Sequence, residues 1–341
     1  MPEVSIIIPV YNSHSYVIDC LESIAAQTVA DYEVIIVNDG STDNCEQLIT
    51  DYISQNNLSD FHLFSKPNGG ISSARNLGLS KAQGKWVMFV DSDDWLEPDC
   101  LRELLSVADR SCADLVIGGY QAYDQISGHK DIWSHYPCDG GSIPEDINGL
   151  HSFSFIWGRL YKKDIIDHNG LRFDERIKYA EDNAWQLDYL CYAKSFAYSH
   201  SILYNYRINN GEQITGKLIN PLMKRYRWEH LQGFLSTYPH TDIDDVLKKN
   251  PRFLSVVWGI VTDAAIIDIL DKKKKEAKAK VRSSFSKSVV AAFSPRSKKE
   301  KIFLLFWKHS FLMLRVFVLV YYKNFENLRS SKLMNLISKR K

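Results

Sequence analysis

Three features are missing from this 341-residue chain, and each removes a class of function. Cysteine pairing is the first. The six cysteines (Cys20, Cys45, Cys100, Cys112, Cys138 and Cys191) are scattered, none forms CxxC, and no histidine cluster has metal-ligand spacing. Neither a zinc site nor a thioredoxin-like motif is expected, and such cysteines read as small buried residues of a reducing compartment. Phosphate-binding glycine fingerprints are the second. The chain has no GxxxxGK[ST], and the loop after its first apolar run is not GxGxxG, so P-loop and dinucleotide readings are weak. The third is a secretory leader. Met1-Pro2-Glu3 runs at once into a short strand, without a basic segment or long apolar core, which places the body in the cytosol by default.

What is present is ordinary globular material, 45% hydrophobic and 24% charged, enough for one large domain or two. The net charge of +1 conceals a division. From Lys272 to Lys341 there are 20 Lys and Arg against 3 Asp and Glu, whereas the preceding residues carry 22 basic and 38 acidic side chains. An acidic body with a basic tail points to a polyanionic partner for the tail.

One stretch organises the rest. Trp86 to Val90 is a continuous apolar run, read as a strand buried on both faces, and it leads into Asp91-Ser92-Asp93-Asp94. Acids at i and i+2 suit a hard divalent cation bridging to phosphate. By itself the stretch reads equally well as an acidic turn before a helix starting near Pro98.

The chain before it repeats one unit. Val4–Ile8, ended by Pro9, reads as a strand, with Ser15 the N-cap of a helix carrying Val17, Ile18, Leu21, Ile24 and Ala25. Tyr32–Val37 is a second strand before the turn-rich Asn38–Asp43 and a helix through Leu48 and Ile49. Phe61–Phe64 is a third, followed by the loop Lys66–Gly70 and a helix over 71–82 despite Gly78. Four such repeats in about 110 residues predict an α/β fold, a Rossmann-like mostly parallel sheet flanked by helices, with all four polar loops on one edge. Ligands of open α/β sheets bind at that edge, which gathers Asp39, Gly69-Gly70 and Asp91-Ser92-Asp93 into one site.

Further on, 115–123 and 132–136 suggest a hairpin covering that site, and 196–198 and 202–207 suggest two later strands. Glu181-Asp182 opens a predicted helix bearing Trp185, Leu187, Leu190 and Cys191. Acids there are also what a helix dipole favours. Residues 220–270 turn helical in pattern.

In order along the chain, Val4–Asn12, Val37–Asp43, Asn68–Asn76 and Asp91–Asp94 resemble the family 2 glycosyltransferases, more narrowly the bacterial enzymes of capsular and exopolysaccharide synthesis. The resemblance continues less tightly through Trp157–Lys162 and Glu181–Trp185 and fades beyond about Arg207. It implies a GT-A fold, a UDP-sugar donor, an inverting transfer and a Mn²⁺ or Mg²⁺ ion. Asp93, with Asp91, would hold the metal, and Asp91 and Ser92 would border the donor. Pro9, Tyr11 and Asn12 would wall the base, with Asp39 accepting a hydrogen bond from the uracil edge. Asn68-Gly69-Gly70 would admit the donor to the backbone, and Arg75 would contact phosphate or sugar. Asp182 would be the base, with Glu181 as fallback. Glu181, Trp185, Trp157 and Arg159 are the acceptor-side candidates. Taken one at a time, Asp39 and Asp43 also read as turn and N-cap residues, Arg75 as a surface ion pair, and Trp185 as core.

The tail completes the reading. Residues 302–322 are strongly apolar and, as a helix, would extend about 31 Å, enough to cross a bilayer. Lys308 and Arg315 within the run argue against crossing, since each costs roughly 2.5–3.5 kcal/mol at a bilayer centre. Lys301, Lys308 and Arg315 recur every seven residues and form one polar line, as on a helix lying in an anionic membrane surface. Packing against the protein itself is the alternative, and nucleic acid is not expected. The implied organisation is a catalytic domain over 1–215, a helical extension over 216–271 and a basic membrane-association region over 272–341. The expected protein is peripheral on the cytoplasmic face and acts on a glycan or lipid-linked glycan. A sugar nucleotidyltransferase and a non-catalytic tethered binding protein are the alternatives.

Overall fold

Every residue from Val4 to Val10 is buried, as a strand covered on both faces requires, and this segment forms β1 (Val4–Val10). The computed structural model describes residues 1–208 except 30, 135, 137, 144–145, 147–154 and 178–179, together with 229–234 and 257. β1 pairs in parallel with β2 (Tyr32–Asn38) on one side and β4 (Trp86–Phe89) on the other, and β3 (Phe61–Ser65) adds in parallel outside β2. Their order, β3-β2-β1-β4, follows from the connecting helices α1 (Val17–Ala25), α2 (Cys45–Gln55) and α3 (Ile71–Lys81). The carboxyl ends of four strands therefore share one edge.

Two local expectations change. Pro9 does not end β1, which continues to Val10. The Ile7 carbonyl faces β4, where it accepts the Val90 N–H at 3.1 Å, and Pro9 shares that side. β4 has ended by then, so the missing proline N–H removes no ladder bond. Ser15 does not cap α1 either. Tyr16 holds the cap position, and the Ser13 carbonyl accepts the N–H groups of both Tyr16 and Val17.

Beyond β4 the sheet is mixed. β9 (Arg159–Lys162) runs antiparallel to β4 and to β6 (Leu115–Asp124). β6 is parallel to β10 (Ser195–Ile208), which carries the short edge strand β5 (Trp95–Leu96). The expected hairpin forms between β6 and β7 (Lys130–Trp133). β6, however, lies inside the main sheet rather than over the site. The two expected late strands are a single one, β10, whose register against β6 shifts around Ile202. β8 (Gly140–Ser142) completes ten strands among the described residues.

The core has two parts. An aliphatic cluster joins Ile6, Ile8, Leu21, Ile24, Val34, Ile36 and Met88 to Leu101 and Leu104 of α4 (Cys100–Ser111). Aromatic packing of Phe89, Tyr161, Phe173 and Trp185 seats α6 (Glu181–Leu190), with ring centroids 4.9–6.0 Å apart.

The chain separates into two compact units, Met1–Ile219 with Gln232–Thr237, and Asn220–Leu231 with Tyr238–Lys341. The expected boundary at 271/272 and the apolar run at 302–322 lie outside the described residues. Among the described residues, no helix is long and apolar enough to cross a membrane.

Candidate active site

At the β2 end, Asp39 is 3% exposed and accepts three hydrogen bonds. Lys66 Nζ reaches Oδ1 at 2.6 Å, Gly69 N reaches Oδ1 at 2.9 Å, and Gly70 N reaches Oδ2 at 2.7 Å. Asp39 thus pins the loop after β3 against the loop after β2. A carboxylate has about four acceptor positions, so one remains for a ligand edge. The pin needs glycine. A Cβ on Gly40, at φ +68°, would lie 2.7 Å from Asn68 N. Asn12, at φ 52°, ties in the loop after β1 by accepting the Thr42 N–H at 2.8 Å. Asp43 accepts the N–H groups of His14 and Cys45, the turn and capping role open to it from sequence. Tyr11 stands half-exposed beside these loops, and Pro9 is buried within β1.

At the centre is Arg75, 1% exposed. Its Nη1 donates to Glu181 Oε1 at 2.8 Å and Asp182 Oδ1 at 2.7 Å, and its Nη2 donates to Asp91 Oδ1 at 3.0 Å. Its Nε has no hydrogen-bond partner. α3 brings Arg75 here by two neighbouring contacts. Asn76 exchanges hydrogen bonds with the Phe173 backbone in both directions, and Ser72 Oγ donates to the Ile177 carbonyl at 3.4 Å. The segment leading into α6 is thereby stitched to α3. Gly78 lets α3 come close, since a Cβ there would meet Ile7 Cγ2 at 2.4 Å.

The electrostatics follow from burial. Burial alone would lower the Arg75 pKa, but Asp182, Asp91 and Glu181 outweigh it and hold the guanidinium charged. Burial pushes the Asp182 carboxyl well above its ordinary value. Arg75 opposes that shift, while Glu181 and Asp91 add to it. Burial also raises Asp94, helped by Asp93 and Asp91.

The acidic turn itself is held from β10. Tyr204 Oη accepts the Asp91 N–H at 3.2 Å and donates to Asp94 Oδ2 at 2.7 Å. Arg207 N donates to Asp94 Oδ1 at 2.7 Å, and Arg207 Nε donates to the Asp93 carbonyl at 2.8 Å. Ser92 Oγ and Ser13 Oγ share a 2.6 Å hydrogen bond.

Several expectations are corrected by burial. Arg75 does not meet solvent as a surface ion pair, because it is buried and its terminal nitrogens hold Asp91, Glu181 and Asp182. Trp185, at 1% exposure, stacks on Phe173 at 5.0 Å and offers no face to a glycan. Trp157 is 4% exposed between Phe155 and Tyr204. Arg159, equally buried, donates to Gln186 at 3.0 Å. All three are core rather than acceptor surface. Tyr204, Arg207, Lys66 and Asn76 were not singled out in the sequence. The available signal for Asn76 was a polar residue one turn after Ser72 in an otherwise core-facing stripe.

Residues 5–169 match the family model described as Glycosyl transferase family 2. The putative glycosyltransferase EpsH of Bacillus subtilis (strain 168) is 32% identical over 244 residues, 70% of this chain and 67% of that one. The chain belongs to glycosyltransferase family 2. It is 46% identical to the chondroitin synthase of Pasteurella multocida (strain Pm70) over 116 residues, 33% of this chain and 12% of that one. Among solved structures, S. aureus TarS 1-349 in complex with UDP-GlcNAc superposes with a TM-score of 0.59 at 21% identity, covering 84% of this chain and 89% of that one. The fold of this glycosyltransferase is accordingly of the GT-A type, and the nucleotidyltransferase alternative is set aside.

A divalent ion suits this family 2 site by its donor set. Three carboxylates face one guanidinium, an excess of negative charge when all are ionised. Asp91 is the most open of the three, its side chain 26% exposed. Among the described residues no group of three or more His, Cys, Asp or Glu is arranged to hold a metal alone. Mg²⁺-type sites use one or two carboxylates and complete their shell with water and substrate phosphate, which Asp91 and Asp93 match.

Proposed function

We propose that this family 2 glycosyltransferase is a metal-dependent, inverting enzyme that moves a sugar from a UDP-sugar to a glycan acceptor in cell-surface polysaccharide synthesis. The observation carrying this reading is the Arg75 cluster, in which one buried guanidinium joins the donor-side Asp91 to Asp182, 107 residues further along the chain than Arg75. The likeness to the TarS complex with UDP-GlcNAc supports the donor class, and the chondroitin synthase likeness supports a glycan acceptor.

Each residue then has a chemical task. The loops pinned by Asp39 frame the base and ribose, with glycine backbone at the close approach. Asp91 and Asp93 would hold Mn²⁺ or Mg²⁺, which when bound supplies Lewis-acid charge to the departing diphosphate. Asp182 takes the acceptor hydroxyl proton as the oxygen attacks the anomeric carbon from the face opposite UDP. Its raised pKa improves it as a base, and Arg75 opposes the rise. The basic region 272–341 would hold the enzyme on an anionic cytoplasmic membrane surface beside a lipid-linked acceptor.

The test is UDP release from a panel of UDP-sugars, with Mn²⁺ or Mg²⁺ and with chelator. Asp182→Asn is expected to cut kcat by about 10²–10⁴-fold, the usual worth of a general base, while UDP still binds. Asp93→Ala is expected to abolish the metal requirement together with turnover. Unchanged activity in both variants overturns the assignment.

A further inference from the structure

Two residues of β10 touch the acidic turn from more than a hundred positions away, and the mechanism above gives them no task. Tyr204 is wholly buried and stacks flat on Trp157, at 4.4 Å and 8°. That stacking fixes where its hydroxyl can be. From there it accepts the Asp91 N–H and donates to Asp94. Asp94 is also 0% exposed and spends its other oxygen on the Arg207 N–H. Arg207 then closes the turn by donating to the Asp93 carbonyl. Its guanidinium lies between the rings of Tyr16 and Trp95, each 4.8 Å away, and reaches Asp19 of α1 at 3.1 Å.

We propose that Tyr204 and Arg207, acting with Asp94, are positioning residues that hold the Asp91 and Asp93 carboxylates in the geometry that binds the metal–diphosphate pair. This rests on the metal-dependent reading above. Within the turn between β4 and β5 the Asp94 N–H donates to the Asp91 carbonyl at 3.1 Å, while Arg75 and Ser13 hold the Asp91 and Ser92 side chains. Asp91 and Asp93 flank Ser92, two residues apart, so small rotations of the backbone would separate their oxygens. The Tyr204 hydroxyl fixes the backbone N–H of the first acid, Arg207 fixes the carbonyl of the second, and Asp94 links both holds to one strand. A carboxylate beside a metal is commonly oriented by hydrogen-bonded groups behind it, whose loss costs roughly 10- to 100-fold in metal affinity. Asp94 therefore serves as the anchor of the turn and not as a third ligand, since both its oxygens face β10.

Tyr204→Phe isolates the hydroxyl, because the ring and its stacking on Trp157 are retained. Binding of UDP to the full chain would be measured calorimetrically with Mn²⁺ and with EDTA, beside thermal unfolding of each protein. Tyr189→Phe is the comparison, since Tyr189 is also fully buried, and its hydroxyl bonds Lys162 N and the Asp114 carbonyl away from the turn. Tyr204→Phe is expected to weaken UDP binding roughly 10-fold or more in Mn²⁺ and leave binding in EDTA unchanged. Arg207→Lys is expected to do the same to a smaller degree. Tyr189→Phe is expected to lower the unfolding temperature with no change in the Mn²⁺ dependence. The proposal is overturned if Tyr204→Phe lowers the unfolding temperature alone, or weakens UDP equally with and without Mn²⁺. If the wild-type chain gains nothing from Mn²⁺, the metal reading fails first and takes this proposal with it.

Discussion

Arg75 shows how much a single side chain carries. Replacing it by Met would leave Asp91, Glu181 and Asp182 facing one another without a counter-ion. Breaking a buried ion pair from one side costs roughly 3–5 kcal/mol, so Arg75→Met is expected to lose about that much in urea unfolding, along with activity. Asp182 gives a pH signature. Its folded pKa is raised, so it should be protonated at pH values where an exposed Asp, near about 3.9, has ionised. The acid limb of kcat/KM is therefore expected well above pH 4, because only the ionised form can accept a proton. Stability runs the opposite way. The contribution of Asp182 is full below the unfolded pKa and is lost as pH rises through the folded value. A pH–rate profile with its limb at an ordinary Asp pKa would remove Asp182 from the base role. At this scale the sequence pointed to Asp39 and Asp91 because both follow strands, and to the Glu181-Asp182 pair through the family resemblance, and the structure gathers Asp91, Glu181 and Asp182 around Arg75. It did not disclose burial. Arg75, Trp185, Trp157 and Arg159 have side chains that suit a binding surface or a core equally, and only packing separates the two.

Among the elements, α3 has the most demanding place. It must lie near enough to β1 for Arg75 to reach the carboxylates, and Gly78 sets that distance. Gly78→Ala is expected to destabilise by about 1–3 kcal/mol through overpacking against Ile7, exceeding the roughly 1 kcal/mol that alanine gains in helix propensity. Thermal unfolding and kcat together would check this, and kcat should fall because Arg75 moves with the helix. The first four strands were legible because each is a short apolar run closed by a polar loop. β10 was not, because Ser199-His200-Ser201 reads as a break between strands. The structure absorbs those residues where the register against β6 shifts. β9 escaped notice as well. It is four residues long and pairs Lys162 with Trp86, far away in sequence.

For the whole molecule, the parallel half of the sheet follows from local alternation, whereas the mixed half depends on pairings that no local pattern encodes. Charge is distributed on the same large scale. With 20 basic against 3 acidic residues, the stretch from Lys272 to Lys341 is expected to bring the full chain down with anionic vesicles at low salt and to release it as salt rises. A chain ending at Asp271 is expected to stay in solution in the same sedimentation assay. Equal behaviour of the two would place the membrane contact elsewhere or remove it.

The Arg75 bridge has one more consequence. A guanidinium is flat and rigid, and here its two terminal nitrogens hold Asp91 and Asp182, which in the proposed reaction would stand beside the departing and the incoming group. On that proposal, the interval between the two halves of the reaction would be measured by a ruler buried in the protein interior. Loops on the surface are free to change which sugar is given and which is extended, provided the ruler keeps its length.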